Sequence, residues 1–142
     1  MRKIKIGDVY AIPLPNGLYA YARVFKDAGF GVYNKLGDTL NPEIDEEWKY
    51  QFIISVFKDL LQDGQWIYVK NIPFRKKDEE WPPKRYIRDP ISNSYSIYYK
   101  GEIKSSSVEE CIGLECAEVW DRELVVNRII NCPLCQGHFE LV

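Results

Sequence analysis

Four cysteines and a single histidine carry the sharpest chemical options in this 142-residue chain. Cys132-Pro-Leu-Cys135 has the knuckle spacing of half a tetrathiolate zinc site, and His138, the only histidine, follows closely. The other half would have to be Cys111 and Cys116, which have four residues between them. On a helix, side chains five positions apart point about 140° apart. Those two thiols meet at one ion only if Gly113 breaks the helix. A thioredoxin-like redox pair needs its first cysteine at the start of a helix that follows a strand, and the context of 132–135 does not supply that. The favoured reading is plainer: reduced cysteine is a small, commonly buried side chain. Structural zinc on Cys111, Cys116, Cys132, Cys135 and His138 stays open as the alternative, and no other cofactor is expected.

Other catalytic constellations are missing. One histidine cannot build a multi-histidine metal centre, and no G-x-S-x-G elbow accompanies it for a Ser-His-acid triad. Gly29-Phe30-Gly31-Val32-Tyr33-Asn34 starts like a dinucleotide fingerprint, but Asn34 stands where the third glycine belongs and the stretch follows a hairpin. No phosphate loop is present. Glu43, Asp45, Glu46 and Glu47 form an acidic cluster, which by composition is a solvated face far more often than a glycosidase pair. No catalytic residue is nominated. What remains is surface: the acidic cluster would steer a basic partner, such as a nuclease, toward the chain. Tyr95, Tyr98 and Tyr99, with Tyr19 and Tyr21, are the aromatic candidates for an interface, although ordinary strand packing is the favoured reading for them because aromatic residues suit strands anyway.

These residues need elements to hold them. VYAIPLP (9–15) and LYAYARVF (18–25) flank Asn16-Gly17, a dipeptide suited to the positive φ angles of a tight hairpin. Alternation puts Leu18, Ala20, Ala22 and Val24 on one face and Tyr19, Tyr21, Arg23 and Phe25 on the other. A short strand at 30–33 follows the turn at 27–29. Residues 34–49 read as an acidic loop with one helical turn at most, and strands return at 50–57 and 65–70 around a helical turn ended by Gly64. The stretch 75–83 is an exposed excursion, and 86–99 a hairpin around Asp89 to Asn93. Ser107 and Glu110 then fit a capping box. Val108, Ile112, Cys116, Val119 and Trp120 recur at helical spacing after it, and Asp121 caps a second helix with Val125, Val126, Ile129 and Ile130 inward. The expectation is an α+β chain, mainly antiparallel β: a small bent sheet or partial barrel with one or two C-terminal helices.

Composition sets the frame. The length suits one domain, 1–142, with 1–103 mostly β, a helical segment at 107–131 and a cysteine-containing tail at 132–142. Hydrophobic residues make up 46% and aromatics 14%, too much for a disordered chain. A net charge of −2 argues against direct nucleic-acid binding. No signal peptide or spanning apolar run is visible, so a cytoplasmic protein without a membrane partner is expected.

The segments KIKIGDVYAIPLPNGLYAYARVF (3–25), GVY (31–33), KRYIRDPISNSYSIYYKGEI (84–103) and ECIGLECAEVW…VVNRII together resemble the immunity protein 26 family, small bacterial proteins encoded beside polymorphic toxin genes. The resemblance spreads over most of residues 3 to 130 and is sharpest at the two hairpins. It implies a mainly β fold and a non-catalytic role: binding a cognate toxin domain, often a nuclease, by stoichiometric inhibition. Some family members are named as a small phosphotriesterase, so a metal-dependent hydrolase is the alternative, and a protein- or peptide-binding module the second. The hydrolase fits poorly with one histidine and four scattered cysteines. The CPLCQGH tail is a departure from what the resemblance implies.

Overall fold

The structure is a computed structural model and describes residues 3–131 and 139–141. Four strands, β1 (Asp8–Pro13), β2 (Tyr19–Val24), β3 (Gly29–Gly37) and β4 (Tyr50–Val56), form an antiparallel meander, and β5 (Ile67–Asn71) returns to the far side of β1. A second sheet begins with β6 (Arg85–Arg88), β7 (Tyr95–Tyr99) and β8 (Glu102–Ser106), again antiparallel. Two short strands, β9 (Glu115–Cys116) and β10 (Val119–Trp120), then stitch the sheets together: β9 lies parallel to β6, and β10 parallel to β4. Helix α1 (Arg122–Asn131) follows, and β11 (Glu140–Leu141) pairs with β3 at Lys35 and Leu36, past the point where β4 begins. Among the described residues this gives an open seven-stranded sheet and an open four-stranded one, with one α-helix. The α+β, mainly antiparallel expectation holds, in the form of two open sheets.

The first hairpin turns differently from its dipeptide reading. Only Gly17 takes a positive φ, +84°, and Gly17 N–H donates to Leu14 O at 3.2 Å. The connection is therefore the three residues Pro15-Asn16-Gly17, and Asn16 Oδ1 accepts Leu18 N–H at 3.0 Å. Proline at the first corner and glycine in the left-handed position are what that loop requires. At the other end of β2 the turn carries positive φ at two non-glycine residues, Asp27 (60°) and Ala28 (59°). Ala28 pays for this at about 1–2 kcal/mol of steric strain.

Alternation in β2 is obeyed, yet both faces are covered. Ala20, Ala22 and Val24 meet Tyr10, Phe30, Phe52 and Trp66 on one side, where α1 adds Val125 and Ile129. Phe30 and Trp66 stack at 5.3 Å. Asp121 caps α1 as its sequence position suggested, accepting Leu124 N–H at 2.9 Å. On the other side Tyr21 is fully buried beside Tyr33 and Trp48. The aromatic face of Tyr19 and Tyr21 is thus a second core and not an outward patch, because the chain after β3 folds back and inserts Trp48 over it.

The helical reading of 107–120 is overturned. The capping box closes, with Ser107 N–H on Glu110 Oε1 at 3.1 Å and Glu110 N–H on Ser107 Oγ at 3.3 Å. It starts only one 3-10 turn, Glu109–Cys111, which Gly113 ends at φ +84°. Ile112 and Val119 lie in solvent. The open edges of β6 and β4 capture the rest as β9 and β10, so pairing with the sheets outweighs local helical periodicity. The 34–49 reading is corrected too: residues 34–37 extend β3, and the remaining loop holds no helix.

Where the sheets meet, Arg85 of β6 is buried. Its guanidinium donates to Ser55 Oγ of β4 and reaches the Asp27 carboxylate at 3.5 Å, while the Tyr98 hydroxyl also donates to Asp27. A buried guanidinium of this kind is tolerated only because it is paired and hydrogen-bonded.

Candidate functional site

The loop between β3 and β4 exposes Glu43, Asp45, Glu46 and Glu47, as the sequence suggested. It is nevertheless held in one shape. Asp45 Oδ1 accepts Glu47 N–H at 2.9 Å, Lys70 Nζ donates to Pro42 O at 2.6 Å, and the buried Tyr21 hydroxyl donates to Thr39 O. Asn34 exchanges two bonds with the Lys49 backbone, at 2.8 and 3.2 Å. Trp48 anchors the loop from below, its ring 5.7 Å from Tyr21 and 5.6 Å from Tyr33. These contacts preorganise the carboxylates, so less ordering is left to a partner that meets them.

Only Asp45 and Glu46 turn toward an opening. They form one rim of a cleft of about 490 Å³ whose other rim is Phe74, Arg75 and Glu79, from the excursion after β5. Inside the cleft, Tyr33 and Tyr50 stack at 4.8 Å, 19° from parallel. Burial, reinforced by Tyr50, pushes the Tyr33 phenol far above its usual range, so it stays neutral at physiological pH. Arg23 reaches into the same space from β2. Its guanidinium lies 3.6 Å over the Phe74 ring, and it donates to Ile72 O at 2.9 Å and to the Tyr50 hydroxyl at 3.2 Å. Across the mouth Arg75 pairs with Glu46, both about three-quarters exposed. A pair that exposed contributes about 0.2–1 kcal/mol, so a partner's charge can replace it at little cost.

The tyrosines of β7 are half-buried and do not act as one patch. Tyr98 faces the larger sheet and is committed to Asp27. Tyr95 packs beside Tyr86 at 6.2 Å. Tyr99 alone extends the cleft, since it lines a neighbouring hollow together with Arg23, Tyr50, Phe74 and Trp81. Sequence reading missed Arg23, Phe74, Trp48 and Tyr50 as site residues. The one signal was Arg23, a charge in the middle of an apolar strand.

The cysteines fare differently. Cys111 is buried, with Sγ 3.3 Å from Ser106 Oγ, and Cys116 is half-buried, its thiol pushed up by burial and then by Glu118. Cys132, Cys135 and His138 lie outside the described residues. Among the described residues no group of three or more His, Cys, Asp or Glu side chains is placed to hold a metal ion.

The model of the family described as immunity protein 26 matches residues 5–97. The chain belongs to the immunity protein 26 family. No curated protein matches the chain, and no solved structure does either. Membership implies a toxin-neutralising role with a cognate toxin as partner, in a family that is generally non-catalytic. The matched span holds β1 to β6, the whole acidic loop and both rims of the cleft, and ends within β7. It stops short of Cys111, Cys116 and the helix. No helix among the described residues is long and apolar enough to cross a membrane.

Proposed function

We propose that this immunity protein neutralises its toxin by one-to-one binding through the acidic loop and the aromatic cleft beside it, and that the toxin presents a basic face, as a nuclease does. The observation that carries the reading is the placement of Asp45 and Glu46 on a pinned loop at the rim of a cleft lined by Tyr33, Tyr50 and Phe74. Carboxylates there speed encounter with a positive surface, while flat aromatic side chains supply contact area with few rotors to freeze. A guanidinium suits both, and the cleft already holds one of its own, Arg23 on Phe74. No cofactor, catalytic step or direct contact with nucleic acid enters this reading, which places the protein in the cytoplasm where it protects the producing cell.

The test is growth rescue in a sensitive host expressing the cognate toxin domain, followed by association kinetics with the purified pair. Glu43→Lys, Asp45→Lys, Glu46→Lys and Glu47→Lys together should slow association about tenfold or more at low salt and leave folding intact. Rescue should survive Cys132→Ser with Cys135→Ser. An unchanged association rate removes the loop from the interface, and turnover abolished by a chelator replaces the inhibitor reading with a hydrolase.

A further inference from the structure

At the end of the β3–β4 hairpin opposite the acidic loop lies a hollow of different character. It has a volume of about 350 Å³, and Ile4, Ile6, Val24, Val56 and Leu61 give it an apolar lining. Lys5, Lys26 and Lys58 also line it. Lys26 is spoken for, with Nζ 3.3 Å from Glu80 and over the Trp81 ring. Asp27, the acid that borders the hollow, is committed to Arg85 and Tyr98. The ammonium groups of Lys5 and Lys58 are exposed and have no ion pair or hydrogen bond among the described residues. The hollow is therefore an apolar slot with two uncompensated positive charges at its border.

We infer that this slot binds a small anionic amphiphile, its aliphatic tail against Ile4, Ile6, Val24, Val56 and Leu61 and its anionic head between Lys5 and Lys58. The volume is that of a small-ligand site, largely apolar with a few polar groups fixing orientation. The tail gains roughly 0.8 kcal/mol per buried methylene, and the head is drawn to two cations that no carboxylate neutralises. An extended peptide is a worse occupant. The strands that border the slot, β2 and β4, are paired on both sides, so they offer no free edge to a second backbone. The inference stands apart from the toxin interface, which uses the other end of the hairpin.

Decanoate below its self-association concentration is the probe, titrated into the full-length protein with isotope-labelled methyl groups. The expected result is saturable one-to-one binding, with shifts centred on Ile4, Ile6, Val24, Val56 and Leu61. Butanoate, which lacks the tail, and 1-decanol, which lacks the charge, should both bind more weakly. Lys5→Glu with Lys58→Glu should weaken decanoate about tenfold while leaving the rest of the spectrum in place, and Lys5→Arg with Lys58→Arg should preserve it. Non-saturable binding, shifts centred elsewhere, or equal affinity in the Glu double variant would overturn the inference. So would a Glu double variant that loses toxin affinity while the unaltered protein ignores decanoate, since the slot would then be a protein contact. Failure of toxin binding alone leaves the decanoate titration as it was, so the two readings fail separately.

Discussion

The two sheets were built from the same kinds of residue and came out unlike each other. Strands β1 to β4 of the larger sheet are buried along most of their length, five of six positions in β1, and aromatic side chains fill the space on either face. In the smaller sheet β7 is half-buried throughout, and β8 is exposed at four of its five positions. A loop with Trp48 covers one face of the larger sheet, and α1 with Trp66 covers the other. The smaller sheet has no such cover and leans on its neighbour through Arg85, Asp27, Ser55 and Tyr98. Stability therefore resides in the larger sheet, and the smaller one is an attached surface.

Phe30→Ala should cost the most, about 3–5 kcal/mol by urea denaturation, because it removes a fully buried ring stacked on Trp66. The matching change in the smaller sheet, Tyr95→Ala, should cost less than about 1 kcal/mol, and near-equal values would erase the contrast. Arg85→Ala should cost about 2 kcal/mol, as it removes the buried guanidinium that bonds Ser55 and pairs with Asp27 at the junction of the sheets. A loss well under about 1 kcal/mol would mean that β9 and β10 alone hold the sheets together. Ala28→Gly should move the other way and stabilise by about 1 kcal/mol, since it releases the strained turn at that junction. Thermal melting reads both.

An alkaline titration sharpens the contrast further. Burial raises the Tyr33 phenol above its unfolded value of about 10, so its contribution is complete below about pH 10 and is lost as pH rises toward the folded value. The melting temperature should fall in that range, and Tyr33→Phe should flatten the fall. In Tyr98 the bond to Asp27 raises the phenol, with burial second, so the sign is the same. Tyr98→Phe should flatten the curve less, because that side chain is half-exposed.

Period-two alternation placed the β2 side chains on their correct faces, and the capping positions Ser107 and Asp121 were both legible. What followed was legible after Asp121 and not after Ser107. After Asp121 the apolar positions had a core to meet, and Val125 and Ile129 are buried. After Ser107 the same periodicity had no surface to pack on, and two open strand edges competed for the backbone. The acidic loop was read as exposed, and it is. The cleft beneath it was invisible because its walls come together from distant segments: Arg23 meets the Ile72 carbonyl, and Glu46 meets Arg75. No local pattern encodes such pairs. For Tyr21 ordinary packing was the favoured reading and it holds, but alternation says only that two faces exist, not that Trp48 will cover the second.

The three parallel pairings, β9 with β6, β10 with β4 and β11 with β3, bear on the order in which the chain acquires its shape. The β1–β4 meander pairs each strand with its neighbour in sequence and can assemble early. The parallel strands must each find a partner far back along the chain, and loop-closure entropy makes such contacts late. Helix α1 follows β10 directly, so it docks late as well. Loosening α1 with Val125→Ala should accordingly hasten unfolding while hardly slowing refolding. The acidic loop is itself the β3–β4 connection of that early meander, so the face offered to a toxin takes form before the helix that will lock the sheet behind it.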